Sequence, residues 1–79
     1  MLKNKENYIK TVFFILNGKQ YKVRYFKKIS LHHFLIFLGY KLNLIAVEYN
    51  GKIITRTQWK DIYLTNNINL EIVTIVGGG

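Results

Sequence analysis

The sequence of 79 residues contains no cysteine and no proline, and only four acidic residues stand against twelve lysines and arginines. Without cysteine the chain can form no disulfide, thiolate metal site or cysteine nucleophile. The carboxylates are too dispersed to pair at helical or hairpin spacing for acid–base catalysis; they belong to Glu6, Glu48, Asp61 and Glu71. Neither a P-loop nor a dinucleotide-binding fingerprint is present. We therefore predict that the protein is not an enzyme and has no catalytic residues.

Long hydrophobic runs are also missing. Residues 12–16 and 34–38 are apolar runs of only five residues, against the roughly 20 that span a bilayer and the roughly 7–15 of a signal-peptide core. We expect a soluble protein that makes no membrane contact and stays in the compartment where it is synthesised.

The net charge of +8 favours an acidic partner. The basic residues are scattered, however, and Lys27-Lys28 is the densest pair. Because a nucleic-acid-binding stripe clusters on one face, we do not expect nucleic-acid binding.

Lysine, asparagine, isoleucine, phenylalanine and tyrosine, whose codons are rich in A and T, supply 40 of the 79 residues, and alanine occurs once. This bias indicates an A/T-rich genome, either that of an organelle or that of a low-GC bacterium.

The first half of the chain predicts a β-hairpin followed by a helix. Residues 11–16 are β-branched and aromatic, and Asn17-Gly18 is a strong signal for a type I′ turn into a second, alternating strand, residues 21–25. Ser30 is a suitable N-cap, and Gly39 is a suitable C-terminal stop. The apolar stripe between them follows helical spacing and consists of Leu31, Phe34, Leu35 and Leu38.

The second half predicts another hairpin and a final strand. Residues 45–49 alternate in the manner of a strand, and Asn50-Gly51 repeats the hairpin signal before residues 52–54. Residues 55–64 are interpreted as irregular, or as a single turn around a core tryptophan, Trp59. Asn66-Asn67 is predicted to turn the chain into the last strand, residues 70–76.

The first and last strands are apolar on both faces, as is typical of strands in the middle of a sheet. Placing them side by side in parallel lets the helix cross one sheet face in the favoured right-handed sense. The predicted fold is therefore α+β, a ubiquitin-like β-grasp with a mixed sheet of four or five strands packed on one helix. Residues 11–76 form this domain, residues 1–10 a flexible N-terminal extension, and residues 77–79 a flexible glycine tail.

One helix covers one sheet face, so apolar residues on the open face are expected to form an interaction surface. The outward side of the helix also carries two large apolar residues without an obvious partner, Ile36 and Phe37. His32 and His33 point about 100° apart on a helix and cannot share a metal ion, so no metal site is predicted. Ser30 is interpreted as a cap and not as a nucleophile.

The closing sequence, LEIVTIVGGG, ends a β-branched strand on Gly77, Gly78 and Gly79. Glycine offers no side chain to pack and loses the most backbone entropy when it is ordered, so three glycines form a poor structural terminus. They do form a thin stem that can enter a narrow channel in another protein. The reactive group would then be the carboxylate of Gly79, which ATP can activate as an acyl-adenylate.

Two stretches of the sequence resemble the ThiS family, the sulfur carriers of thiamine biosynthesis. Residues 46–59, AVEYNGKIITRTQW, resemble the family pattern AVxxNGxxVPRSQW, and residues 70–79 resemble its closing strand and diglycine end. The similarity extends over residues 11–79. Thr55 stands where the family pattern has proline, which predicts a looser loop, and asparagines replace its usual Gly-Asp turn before the last strand.

The resemblance implies a reaction cycle in which this protein is the substrate. A ThiF-like adenylyltransferase uses ATP to activate the carboxyl group of Gly79, a persulfide donor supplies sulfur to form a thiocarboxylate, and a ThiG-like thiazole synthase receives it. Gly77 and Gly78 would thread the tail into partner active sites, and no cofactor would be bound by this chain. Together with the A/T-rich bias, the resemblance suggests a plastid-encoded protein of the chloroplast stroma, or alternatively of a bacterial cytoplasm, monomeric when free.

Several alternatives stay open at the level of sequence. Carriers for molybdopterin synthesis and for tRNA thiolation share the fold and the diglycine end, although the 46–59 stretch favours thiamine. A basic RNA-binding β-grasp module would bind RNA in a salt-sensitive manner without its tail. A degenerate copy retained for interaction alone would not be adenylated.

Overall fold

Five strands form one mixed sheet in the computed structural model of the chain, which describes residues 9–75. The elements are β1 (Lys10–Leu16), β2 (Lys19–Tyr25), α1 (Leu31–Phe37), β3 (Ile45–Tyr49), β4 (Lys52–Ile54) and β5 (Asn69–Thr74), with 3₁₀ helices at Leu42–Leu44 and Arg56–Asp61. The strand order is β2-β1-β5-β3-β4, with β1 parallel to β5 and the other pairs antiparallel. This arrangement confirms the predicted ubiquitin-like β-grasp.

The β1–β2 hairpin forms as its sequence predicts. Asn17 and Gly18 have φ angles of 51° and 83°, the left-handed conformation that a type I′ turn requires at both central positions. Within β1 the side chains alternate, and Val12, Phe14 and Leu16 are buried while the residues between them are exposed. This alternation has the period of two that marks a strand with one buried face. One face of β1 therefore packs into the core and the other is exposed.

Helix α1 is short and is closed at both ends by the predicted residues. The Oγ of Ser30 accepts a hydrogen bond from the N–H of His33 at 3.1 Å, which is an N-cap. At the other end Gly39 has a φ of 90°. Its N–H donates to the C=O of Ile36, and the N–H of the following residue, Tyr40, donates to the C=O of Leu35. These two bonds form a Schellman motif.

The core lies between α1 and one face of the sheet. The ring of Phe34 meets the ring of Phe14 edge to face, with centroids 5.5 Å apart, a favoured aromatic geometry. Trp59, only 2% exposed, closes the core from the second 3₁₀ helix. The buried apolar residues are Val12, Phe14, Leu16, Leu31, Phe34, Leu35, Ile45, Val47, Trp59, Leu64, Ile68, Leu70 and Ile72. Leu38 follows α1 and is 39% exposed, so the helix contributes three of its four predicted core residues.

Asparagine side chains supply hydrogen bonds between segments that are distant in sequence. Three asparagine Oδ1 atoms each accept a backbone N–H, in the pairs Ile72 to Asn17 (2.7 Å), Phe13 to Asn66 (2.8 Å) and Asn69 to Asn50 (2.8 Å). Asn17, Asn50 and Asn67 also have positive φ angles, which asparagine tolerates better than most residues. The prediction that the last turn is built on asparagine is confirmed, and the same residue type connects both hairpin turns to β5.

The sequence predicts a loose loop after β4, because Thr55 stands where the family pattern has proline. In the structure, side-chain hydrogen bonds restrain this loop. The Oε1 of Gln58 accepts hydrogen bonds from the N–H of Thr55 at 2.7 Å and from its hydroxyl at 3.0 Å. These bonds fix the start of a 3₁₀ helix, Arg56–Asp61, where the sequence predicted an irregular segment or a single turn. The side chain of Gln58 thus restrains the loop that proline would otherwise stiffen.

The element boundaries differ slightly from the predicted ones. β1 begins at Lys10, one residue early, and β5 occupies Asn69–Thr74 where residues 70–76 were predicted. The predicted extension, residues 1–10, falls largely outside the described residues, and the predicted tail, residues 77–79, falls wholly outside them. Both therefore stay predictions. Among residues 9–75 no helix has the length and apolar character needed to cross a membrane.

We expect Asn17→Gly to lower the free energy of unfolding, because it removes the acceptor for the N–H of Ile72. The loss should exceed that of a control asparagine-to-glycine change by about 1 kcal/mol. The measurement is urea denaturation followed by circular dichroism. The matched control is Asn67→Gly, since Asn67 also has a positive φ but contributes none of the three side-chain bonds. Equal losses in the two variants would show that the bond between Asn17 and Ile72 adds no stability.

Candidate functional site

The predicted functional residues Gly77, Gly78 and Gly79 lie outside the described residues, but the structure defines the point from which they continue. β5 ends at Thr74, and the N–H of Ile75 donates a hydrogen bond to the C=O of Leu44 at 2.6 Å. The sheet therefore holds the chain up to four positions before the end of the sequence. Four residues in a fully extended chain span about 14 Å, which sets the reach of the carboxyl end from Ile75.

β5 is the central strand, and its two neighbours hold different parts of it. On one side the parallel contact with β1 runs only to the turn, where the N–H of Asn17 donates to the C=O of Leu70 at 2.9 Å and Oδ1 of Asn17 accepts from Ile72. On the other side β3 stays paired with β5 to the end of the strand, with Ile45 opposite Thr74. The end of β5 thus extends past the β1–β2 turn, fixed by β3.

The sheet face opposite α1 carries exposed apolar side chains, as predicted. Because alternate residues of β1 and β5 are buried under the helix, the residues between them lie on the other face. Phe13 and Ile15 of β1 are 45% and 40% exposed, and Val73 of β5 is 51% exposed. Ile75, just before the tail, is 50% exposed. We call this surface the open face, defined by Phe13, Ile15, Glu48, Glu71 and Val73.

Two of the four acidic residues of the protein meet on the open face. Glu48 of β3 lies directly opposite Glu71 of β5 in the antiparallel ladder. Like charges at directly opposed positions destabilise a sheet. Along β5 this carboxylate pair stands between Val73, the last apolar residue of the strand, and Asn69, which is paired with Ile15. The open face therefore combines apolar side chains with a local negative charge in a strongly basic protein.

The remaining residues considered in the sequence analysis, Ser30, His32, His33 and Trp59, contribute to the fold and not to a reactive site. Ser30 caps α1, and its Oγ also lies 3.2 Å from Nδ1 of His33. The rings of His32 and His33 lie edge to face with centroids 5.7 Å apart. Within residues 9–75 no group of three histidine, aspartate or glutamate side chains is placed to hold a metal ion. Trp59 is buried in the core, which leaves no surface for an interface role.

Sequence reasoning missed the carboxylate pair. Glu48 and Glu71 are 23 positions apart, and only the pairing of β3 with β5 brings them together. The alternation of each glutamate with apolar neighbours predicts which sheet face it lies on. It does not predict that the two glutamates are opposite each other. By contrast, the exposed residues of α1 are found where they were predicted, with Ile36 50% and Phe37 82% exposed.

Comparison with known proteins supports both the fold and the family. A protein named ycf40 from Trieres chinensis is 39% identical over 66 residues, covering 84% of this chain and 88% of that protein. Another named ycf40, from Pyropia yezoensis, is 36% identical over 64 residues, covering 81% and 87%. The crystal structure of the thiamine biosynthesis protein (ThiS) from Geobacter metallireducens aligns with a TM-score of 0.73 at 22% identity, covering 86% of this chain and 100% of that one.

The family match includes the end of the sequence as well as the folded domain. Residues 14–79 match the ThiS family, from Phe14, the second buried residue of β1, through the central strand to the three glycines. This match includes four of the five strands whole, the end of β1, every residue of the open face except Phe13, and the glycine end. The chain therefore belongs to the ThiS family of small sulfur-carrier proteins.

Proposed function

We propose that this protein carries sulfur for the formation of thiazole in thiamine biosynthesis, on the carboxyl group of Gly79. The carboxylate attacks the α-phosphate of ATP and releases pyrophosphate, which gives an acyl-adenylate. The terminal sulfur of a persulfide attacks the acyl carbon and displaces AMP. A thiol then reduces the acyl disulfide and leaves a thiocarboxylate, whose sulfur a thiazole synthase incorporates into its product.

The observation that carries the proposal is the fixed exit of the chain from the sheet. Ile75 is hydrogen-bonded to Leu44, and the sequence then continues through Val76 into three glycines. A substrate carboxylate on a stem without side chains can enter a narrow active site, whereas the folded domain stays outside it. An enzyme that modifies the end of a protein needs the terminal carboxylate held at its reacting groups. A narrow stem that starts from a fixed point on the sheet meets this need.

The chemistry is supplied by the partners in this proposal. An adenylyltransferase of the ThiF type binds ATP and activates Gly79, and this chain binds no cofactor of its own. The persulfide donor and the ThiG-type synthase act on the same carbonyl carbon in turn. Gly77 and Gly78 keep the stem narrow enough for each active site. Free of partners, the protein is proposed to be a monomer.

The open face is proposed to bind the adenylyltransferase. It adjoins the tail exit through Val73 and Ile75, and exposed apolar patches on small proteins mark interaction sites. The Glu48–Glu71 pair offers a negative centre for a lysine or arginine of the partner. The repulsion between the two carboxylates lowers the stability of the free protein. A cation of the partner would offset this repulsion in the complex, which favours binding at this site.

The proposed location is the plastid stroma. Two observations support it, the excess of residues with A/T-rich codons and the name ycf40 borne by relatives from Trieres chinensis and Pyropia yezoensis, a name used for plastid genes of algae. A sulfur carrier encoded and made in this compartment would meet its partners without import.

The first prediction from this proposal concerns the carboxyl end. Incubation of the purified protein with its adenylyltransferase, ATP, a persulfide donor and a thiol should raise the intact mass by the difference between one sulfur and one oxygen. Fragmentation should place the change on the C-terminal peptide. Gly78→Val should block the gain because a branched side chain widens the stem, although its unfolding curve should match that of the unchanged protein.

Two results would contradict the proposal. An unchanged mass with enzymes that thiolate another ThiS carrier would exclude the carrier role. A thiocarboxylate that forms but yields no thiazole product with thiazole synthase, while molybdopterin synthase or a tRNA thiolase accepts its sulfur, would leave the carrier role and exclude the thiamine pathway.

The second prediction concerns the apolar part of the open face. Val73→Lys should raise the KM for this protein in the adenylation reaction about tenfold or more, because it places a hydrated ammonium group in the contact. The matched control is Ile36→Lys on α1, since Ile36 is 50% exposed and Val73 51%. Equal effects of the two changes would show that the open face does not bind the enzyme.

The third prediction concerns the carboxylate pair. Glu71→Lys should raise the free energy of unfolding by about 0.2–1 kcal/mol at low salt, because it replaces a like-charge pair with an opposite-charge pair. The same change should lower kcat/KM for adenylation. If stability rises and adenylation is unaffected, the carboxylates have no role in binding the partner.

A further inference from the structure

The outer edge of β2 is open. The strand pairs with β1 alone among the strands of residues 9–75. In a hairpin closed by a two-residue turn, the residues bonded to the partner strand alternate with residues whose N–H and C=O point away. Counted from the closing pair, Leu16 and Lys19, the outward groups belong to Gln20, Lys22 and Arg24. This edge can therefore accept another strand.

An apolar groove runs beside this edge, between β2 and α1. It has a volume of about 350 Å³ and is lined by Val23, Arg24, Ile29, His33, Phe34 and Phe37. Phe34 forms part of the core below it, whereas Phe37 stands 82% exposed at its wall. Exposure of so much of a phenylalanine ring to water is costly, and a partner that fills the groove would cover it.

The charges around the edge restrict what can bind. By strand alternation the side chains of Lys22 and Arg24 leave β2 on the side opposite Val23, which faces the helix side, although Arg24 also contributes to the lining of the groove. Lys27-Lys28 follow β2 after one intervening residue, Phe26. A second copy of β2 would bring the same cations to the edge and be repelled, and like charges opposed across strands destabilise a sheet. The chain's own residues 1–8, with Lys3 and Lys5 against Glu6, are net positive as well.

We propose that the β2 edge and the β2–α1 groove bind an extended segment of a partner protein in which apolar and acidic residues alternate. The segment adds to the sheet as a further strand, through main-chain bonds to the outward groups of β2. Successive side chains of a strand point to opposite faces. Its apolar residues therefore enter the groove beside Phe37, and its acidic residues lie over Lys22 and Arg24.

The groove is distinct from the open face and from the tail exit, and only the cations Lys22 and Arg24 reach the open-face side, where Lys22 is paired with Phe13 at its β2 edge. β2 is an edge strand, separated from β5 by β1, and the groove lies on the helix side of the sheet. A partner bound here leaves the carboxyl end free, so a carrier could be held by one protein while another reacts with its tail. The proposal does not depend on which sulfur pathway the carrier serves.

The test is titration of the ¹⁵N-labelled full chain with a capped seven-residue peptide in which glutamate and valine alternate. We expect a dissociation constant on the order of 100 μM at low salt. Chemical-shift changes should concentrate on the amides of Gln20, Lys22 and Arg24 and on residues lining the groove. A peptide of the same composition with its valines in one block should bind about tenfold more weakly, since alternation is then lost.

Two further comparisons isolate the contacts. Phe37→Ala should weaken binding of the alternating peptide about fivefold or more, whereas Ile36→Ala, the neighbouring exposed position outside the groove, should leave it unchanged. N-methylation of the peptide nitrogens that face β2 should abolish binding, because the main-chain bonds are then removed.

Four outcomes of the peptide experiments would overturn the proposal. They are absence of binding at millimolar peptide, equal binding of the alternating and block peptides, shift changes centred on Glu48, Glu71 and Val73, and equal effects of the two alanine variants. Contacts between residues 1–8 and Phe37 in nuclear Overhauser spectra of the free protein would assign the groove to the chain's own N-terminus. Self-association abolished by Phe37→Ala would assign it to a second copy.

Discussion

The parallel contact between β1 and β5 is the constraint on which the rest of the structure depends. Strands from the two ends of the domain can lie parallel only if the chain crosses over between them, and α1 provides part of that crossover. The regular pairing is short, with Ile15 opposite Asn69 and Leu16 opposite Leu70. The side chain of Asn17 extends it to Ile72, and that of Asn66 bonds to Phe13. A few asparagines thus complete the contact that defines the fold.

The same topology divides the molecule into surfaces with separate roles. The helix covers one sheet face and leaves the other open, with its apolar residues and the Glu48–Glu71 pair. Because β5 is central, the carboxyl end leaves from the middle of the sheet and beside that open face. Because β2 is at the edge, its unpaired side and the adjoining groove are separated by β1 from the strand that leads to the exit. A chain this small can therefore offer different partners different surfaces.

The features that the sequence predicted are those encoded by neighbouring residues. The Asn-Gly turns, the Ser30 cap, the Gly39 stop and the period-two strands each depend on a few adjacent positions, and all are present in the structure. The apolar character of both faces of the first and last strands was enough to place them together. The family resemblance rested on two local stretches and is confirmed by the match over residues 14–79.

What the sequence could not predict depends on register between distant strands or on weak local preferences. The opposition of Glu48 and Glu71 needs the β3–β5 alignment, and the groove beside Phe37 needs the placement of α1 against β2. The 3₁₀ helix at Arg56–Asp61 is stabilised by side-chain bonds from Gln58 to Thr55 that no periodic pattern announces. Its extent was therefore underestimated from sequence.

The central position of β5 also has a mechanical consequence. A force that draws the carboxyl end into another protein acts along the axis of β5, while the bonds that hold the strand to its neighbours lie across that axis. The bonds to β3, and those to β1 and Asn17, are then loaded in shear and share the tension. A strand pulled across its axis would instead be unzipped one bond at a time, and an edge strand pulled along its axis would share the tension with one neighbour instead of two. The sheet is thus built to withstand traction on the end of the chain.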